Sequence, residues 1–491
     1  MESARLLIPL LITGLAPLFI WLARNNPNVR EAVSFAAAIL TTSVMLTFVP
    51  GVLEGKVYTY HLFTLLDGIY VKFCVDGLTL IFGLIAPLLW ILATSYNVGY
   101  MRSLKEHAQT RYYFCFAIAI FGAVGVSMAA NIFTLYLFYE VITVFTYPLV
   151  AHHEDEEGFS GARKYIVYLM GTSKMFLLPA MVLTYVLCGT LDFNLGDVVT
   201  GIFPEDANPT LVTLTYFLFI FGLAKAAIMP LHNWLPSAMV APTPVSALLH
   251  AVAVVKAGVF SISRVILSGF GLETMSTLGL GLPTAYLAAF TIVTASIIAL
   301  TKKDLKARLA YSTVSQLSYI IIGVAMLSPL AVTGGVGHIA HHAFSKITLF
   351  FAAGAIYVAT HLKQIDLMSG LGRRMPWTFG AFGLASLSMI GVPPVSGFVS
   401  KWYLVNGALD QGRVILLVAL LASTMLNAAY FVPIVYRGFF GQAAPGIDLE
   451  QYSEAPMSMV VPLLVTAVIS VLLGLYPAVF FNFIHALGGM S

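Results

Sequence analysis

Charge is scarce in this 491-residue chain. Only 10% of its residues are Asp, Glu, Lys or Arg, while 59% are hydrophobic. Soluble domains carry about 25% charged residues, so soluble, nucleic-acid-binding and coiled-coil classes are excluded. Cysteine is scarcer still. Cys74, Cys115 and Cys188 are scattered among apolar runs without metal spacing, which excludes a disulfide framework or an iron–sulfur set and leaves them as packing residues. No haem pair and no nucleotide-binding motif is present, so no cofactor is expected in this chain. The net charge of +3 identifies no partner. No A-x-A-like cleavage site follows the first apolar run, Leu6 to Leu22, which therefore reads as a span and not as a signal peptide.

What is present is a series of apolar windows of about 17–25 residues, the length that crosses a bilayer. About fourteen spans are expected, beginning near Leu6, Val33, Leu78, Tyr112, Ile132, Tyr165, Leu211, Val245, Leu280, Leu309, Gly334, Trp377, Val414 and Met459. The fold class is thus an all-α polytopic membrane protein. Charge placement orients it. Fifteen of the 25 basic residues fall in alternate loops (Arg24/Arg30, Arg102/Lys105/Arg111, Arg163/Lys164, Lys302 to Arg308, Lys363 to Arg374, Arg437), against five on the other side: Arg5, Lys56, Lys72, Arg264 and Arg413. The positive-inside bias places both termini outside the cytoplasm, in a cell membrane. The run His152 to Glu157 could hold a metal, but a solvated charged loop is the favoured reading and no metal site is expected.

Five lysines remain inside spans: Lys174, Lys225, Lys256, Lys346 and Lys401. Of the 22 acidic residues only Glu140 is expected at membrane depth. Such groups are costly in a bilayer and usually line a pathway. Lys225 stands before a helix break at Pro230, and its natural partner is Glu140. A static salt bridge is the plainer alternative, but broken helices at depth are tolerated where they line a cavity. His250 and Lys256 share the next span. His338, His342 and Lys346 recur at i, i+4 and i+8, on one helix face. The two histidines lack an accompanying carboxylate or thiol, so they read as a proton relay and not as a zinc pair. Lys401 follows a second break at Pro393 and Pro394. Lys174, His232 and Lys306 are further candidates; for Lys306 an anchor at a helix entrance is an equal reading.

Lys174 and Lys346 are separated by 172 residues, and Lys225 and Lys401 by 176. Each pair also lies five spans apart, an odd number, as in an inverted-topology repeat. The expected organisation is three spans (1–110), a first half-channel (111–270), a second half-channel (271–440) and a last span (441–491), with the repeats near Tyr112–Ser268 and Leu280–Tyr436.

The segments Met-Pro-Leu-His-Asn-Trp-Leu-Pro-Ser-Ala and Ala-Pro-Thr-Pro-Val-Ser-Ala-Leu-Leu-His around Lys225 and His250 resemble the antiporter-like subunits shared by respiratory complex I and Mrp-type cation/proton antiporters. So do residues 304–316, His-His-Ala-Phe-Ser-Lys at 341–346 and Gly-Val-Pro-Pro-Val-Ser-Gly-Phe at 391–398. The resemblance covers residues 70 to 440. It implies fourteen helices, two inverted five-helix repeats and two broken helices. It also implies that Glu140 is the essential acidic residue with Lys225 its partner, that Lys256, His338, His342 and Lys346 form a central axis, and that Lys401 is the terminal group. Lysine at 401, the chain's length and the segment Leu371–Trp402 look most like the D-type member of Mrp antiporters.

The expected function is proton translocation in a multisubunit Na⁺ or K⁺/H⁺ antiporter, with other membrane subunits, lipid, protons and the cation as partners and no nucleic acid. The alternatives are the same pump inside a complex I-like or hydrogenase-type redox complex, and a structural scaffold.

Overall fold

The structure, a computed structural model, describes residues 1–489. Among these, eleven helices are long and apolar enough to cross a membrane, making the chain a multi-pass membrane protein. Each expected span start lies on a helix or within one residue of one. The other three starts fall on elements that breaks or polar residues interrupt: the short helix Pro209–Gly222, the Ser-rich helix Leu305–Ala325, and Pro376–Ile390 with Ser396–Asp410 beyond the second break. Side-chain caps fix several entrances. Asp76, Asn131, Asp155 and Asp304 accept from the backbone N–H of Thr79, Thr134, Gly158 and Ala307 at 2.6–2.8 Å, each relieving one orphan donor at a helix start.

The long helix Pro329–Thr360 is the centre of the molecule and is buried along nearly its whole length. It packs against Gly77–Ser103, Leu305–Ala325, Pro376–Ile390, Ser396–Asp410 and Met457–Leu475. The span Thr243–Thr277, beside it, is buried from Thr243 to Gly271 and is not a uniform α-helix. π-helical turns at Leu248–Val252 and Val265–Phe270 flank the α-helical segment Val254–Arg264. A third π turn, Ser173–Leu177, interrupts the span Glu156–Cys188. Such turns recur at functional sites because they rotate the side chains that follow.

Two features depart from the expected fold. Residues 58–75 form an antiparallel hairpin, Tyr58–Leu66 with Ile69–Val75, in what was expected to be a loop. The turn is Asp67-Gly68, with Gly68 at φ +78°, a left-handed position that glycine takes without steric cost. Arg264, expected in an outer loop, is fully buried. It makes a two-pronged ion pair with Asp76, equally buried, at 2.5 and 2.8 Å, and donates to Thr79 Oγ1 at 3.0 Å. Asp76 is therefore buried more deeply than Glu140, whose side chain is 14% exposed. A guanidinium among apolar helices requires such a partner, and Asp76 supplies it across 188 residues of sequence.

Gly258 lets two backbones touch where Lys225 sits. A Cβ there would lie 2.2 Å from the amide nitrogen of Ala226. Gly258→Ala is expected to cost about 1–3 kcal/mol through overpacking, read as a lowered melting temperature in detergent. An unchanged melting temperature would contradict the close approach.

Candidate functional site

The first break positions Lys225. The helix Pro209–Gly222 ends, a single 3₁₀ turn Ala224–Ala226 follows, and Ala227 takes a left-handed φ of +53°. Pro230 has no N–H to continue the ladder. Trp234 reaches back and donates from Nε1 to the Ala224 carbonyl oxygen at 3.0 Å, closing the turn. The Lys225 ammonium is thereby aimed at the helix Ile132–Val150. It donates to the Tyr139 carbonyl oxygen (2.6 Å) and Thr143 Oγ1 (2.7 Å) and lies 3.1 Å from the centre of the Tyr139 ring.

Glu140 is the next residue, turned about 100° round the same helix, and the direct pair with Lys225 is not formed. Instead the carboxylate accepts from the Ser173 hydroxyl and stands 3.6 Å from the Lys174 ammonium, which also contacts the Tyr136 hydroxyl. The π turn at 173–177 presents both residues to Glu140. The expected Glu140–Lys225 partnership is corrected in this state. One turn of helix holds Lys225 on one side and a Glu140–Lys174 pair on the other, because positions 139 and 143 share a face that 140 does not.

Inside the bundle, His250 sits on the first π turn of Thr243–Thr277, its ring 4.6 Å from that of Phe350, with no hydrogen-bond partner at either nitrogen. One turn and a half later Lys256 meets the central helix. Its ammonium lies 2.7 Å from Nδ1 of His342. Two nitrogens at this distance share one proton: an ammonium facing a neutral imidazole, or a neutral amine facing an N–H. His338, one turn along, has its ring centre 6.0 Å from that of His342. Its Nε2 is 3.0 Å from Gln316 Oε1, an acceptor only, so Nε2 carries the proton and Nδ1 accepts from Ser400 Oγ at 2.8 Å in the neutral ring. Gln316 in turn donates to the Met389 carbonyl oxygen (3.3 Å), and the same oxygen accepts from the Lys401 ammonium at 2.7 Å. Lys401 also reaches the Ile390 carbonyl at 3.2 Å. These are the last carbonyls of Pro376–Ile390, left free by the Pro393-Pro394 break and partly negative at a helix C-terminus.

The other candidates are placed less directly. Lys346 donates to Ser312 Oγ at 3.0 Å, on a branch from the axis. Lys306 donates to the Ala241 carbonyl oxygen at 2.6 Å. It lines a cavity of ≈ 860 Å³ with Glu106, Lys164, Asp304, Tyr357 and Lys363, at the end of the bundle where basic loops gather. His232 is half-buried, 6.2 Å from the Tyr311 ring. His341 is turned off the axis and stacks on Phe481. Sequence reasoning missed Tyr139, Thr143, Ser312, Gln316 and Ser400. Their one signal was a polar group at an apolar position, too common among Ser and Thr in membrane helices to single them out.

Residues 129–427 match the model of the NADH:quinone oxidoreductase/Mrp antiporter transmembrane family. NADH-quinone oxidoreductase subunit N of Desulforudis audaxviator is 31% identical over 487 residues, 96% of this chain and 94% of that protein. A putative antiporter subunit, mnhA2, of Staphylococcus haemolyticus is 30% identical over 417 residues, 80% of this chain and 50% of the longer relative. A chain in the structure of the Mrp complex from Dietzia sp. superposes with a TM-score of 0.84 at 21% identity, covering 98% of this chain and 97% of that one, a likeness of fold.

Proposed function

Because the chain belongs to the NADH:quinone oxidoreductase/Mrp antiporter transmembrane family, we propose that it is a proton-translocating membrane subunit of a multisubunit Na⁺ or K⁺/H⁺ antiporter, of the D type. The observation that carries this reading is two buried, hydrogen-bonded stretches, Lys256–His342 and His338–Gln316–Met389 carbonyl–Lys401, that meet where the His342 and His338 ring centres lie 6.0 Å apart. Lys256 and His342 face each other so closely that a proton gained at one disfavours a charge on the other. At an effective dielectric of about 20, two unit charges about 4 Å apart interact by about 4 kcal/mol, enough to pass a protonation change along the line.

Glu140 is the switch. Paired with Lys174, it leaves the Lys225 ammonium held by neutral oxygens and the face of the Tyr139 ring. Swung toward Lys225, it would stabilise that charge. The basic-end cavity with Lys306 is the entry to the axis, and residues 111–270 and 271–440 are the two half-channels. The chain lies in the cell membrane with the basic loops cytoplasmic and both termini outside, in contact with other membrane subunits.

A second reading rests on the subunit N relative, which this chain matches over almost its whole length. In it the same axis is driven by a redox module on neighbouring subunits. Mass spectrometry of the intact complex, purified through a tag on this chain, separates the two: small antiporter-type membrane proteins support the first, iron–sulfur or flavin subunits the second.

In proteoliposomes holding the complex, Glu140→Gln and Lys225→Met are each expected to lower cation-driven proton movement at least about tenfold, the factor carried by about 1.4 kcal/mol. Lys174→Met is expected to alter the pH dependence with a smaller loss. Full rates in both Glu140→Gln and Lys225→Met would remove the switch.

A further inference from the structure

The run His152 to Glu157 is not a uniformly solvated loop. The chain turns sharply after Ile132–Val150, with Glu154 at φ +57°, and folds His152 inward until it is fully buried. Neither of its ring nitrogens has a hydrogen-bond partner. Facing it is the connection between Gly77–Ser103 and Gln109–Ser127, where Lys105 and Ala108 also take left-handed backbone geometry. That connection carries Glu106 and His107. Glu106, His107 and His152 each offer one ligand atom, and the three atoms lie within 4.8 Å of one another. The Glu106 carboxylate points one oxygen at His152 Nε2 and the other at His153 Nε2, each at 3.6 Å, too long for a hydrogen bond.

A buried imidazole without a partner is costly, and a carboxylate held just out of hydrogen-bond range of two imidazoles leaves space between them. We propose that Glu106, His107 and His152, with His153 beside them as a fourth donor, bind a first-row divalent transition cation of the zinc class. The donor set is nitrogen and oxygen from neutral imidazoles and a carboxylate, which suits zinc. At metal–ligand distances of about 2.0–2.2 Å the ligand atoms of a tetrahedral site stand about 3.3 Å apart. The exposed His107 side chain can close the remaining gap by rotation.

Arg111 is paired with Glu154 and donates to the His152 carbonyl oxygen at 3.0 Å, so it braces the turn and its charge is compensated. Glu106 and His153 also line the basic-end cavity that leads to Lys306. A bound ion would tie the two connections together at the rim of that cavity.

The test is titration of the purified full-length chain in lipid nanodiscs with Zn²⁺, and with Co²⁺ as a spectroscopic stand-in. Saturable one-to-one binding and visible ligand-field bands from Co²⁺ are expected. Glu106→Gln, which keeps the side-chain shape, and His107→Ala, at an exposed position, should each weaken binding at least about tenfold, as should His152→Asn. His61→Ala and His361→Ala, exposed histidines elsewhere, should leave it unchanged. Absence of saturable binding, or binding that survives Glu106→Gln and His107→Ala at full strength, overturns the proposal. If His152→Asn fails to fold, the other two variants decide the matter.

Discussion

Lys256→Met is expected to reduce proton transport by reconstituted complex at least about 100-fold, the lower range of what a positioned proton-transfer group contributes. Methionine keeps most of the side-chain volume, so the loss would be one of proton-handling capacity and not of packing. Among the described residues, the 2.7 Å contact with His342 is the only hydrogen-bond link between Thr243–Thr277 and the histidines of the central helix. Removing the amine leaves His342 Nδ1 buried and without a partner, since its Nε2 is already without one. His342→Ala should lower the rate by a similar factor. The double variant should then fall little further, because two members of one relay step lose the same step once. Stopped-flow measurement of luminal acidification in proteoliposomes reads all three. If the double variant's loss equals the product of the single losses, the two residues act on separate paths and the axis as drawn is wrong. His341→Ala is the internal control: this neighbour stacks on Phe481 away from the line and should keep its rate.

The parts of this site differ in how far the sequence exposed them. Lys225, Lys256, Lys346 and Lys401 were legible because a lysine inside a long apolar window has no routine structural role. The helix breaks were legible because proline removes a backbone donor wherever it stands. The partner of Glu140 was not. Whether residue 140 faces Lys225 or Lys174 depends on about 100° of helix rotation and on a π turn at 173–177, which no periodicity announces. Gln316 was hidden for another reason: its value lies in joining His338 to the Met389 carbonyl, a contact between three consecutive long helices whose mutual rotation no periodicity reports. The hairpin at 58–75 was within reach, since Asp67-Gly68 between two runs rich in aromatic and β-branched residues is a strong local signal. Its apolar composition between two spans masked the alternation. His152 shows the converse error, where a run of charged neighbours implied solvent but one left-handed residue, Glu154, turned its first member into the core.

Asp76→Ala is expected to be the most destabilising single change in the chain. The Arg264 guanidinium cannot shed its charge, and in the native fold it is wholly enclosed, bonded to both Asp76 oxygens and to Thr79. Removing one partner of such a pair costs about 3–5 kcal/mol because the other charge stays buried. The same carboxylate caps Gly77–Ser103 by accepting from Thr79 N–H at 2.8 Å, and a lost cap adds about 1 kcal/mol. Asp76→Asn keeps an acceptor for the cap and should lie between alanine and wild type. Asp76→Leu combined with Arg264→Met removes both charges and should recover much of the stability, since a buried pair replaced by apolar residues of similar volume is often neutral. Melting temperature and monodisperse yield in detergent are the readouts, with transport per folded molecule measured beside them. The pair lies off the Lys256–Lys401 line, so transport normalised to folded protein should persist in the double variant. A double variant as unstable as Asp76→Ala would mean that the two charges are held independently. One that is stable but transport-dead would move Arg264 and Asp76 from the scaffold into the proton path.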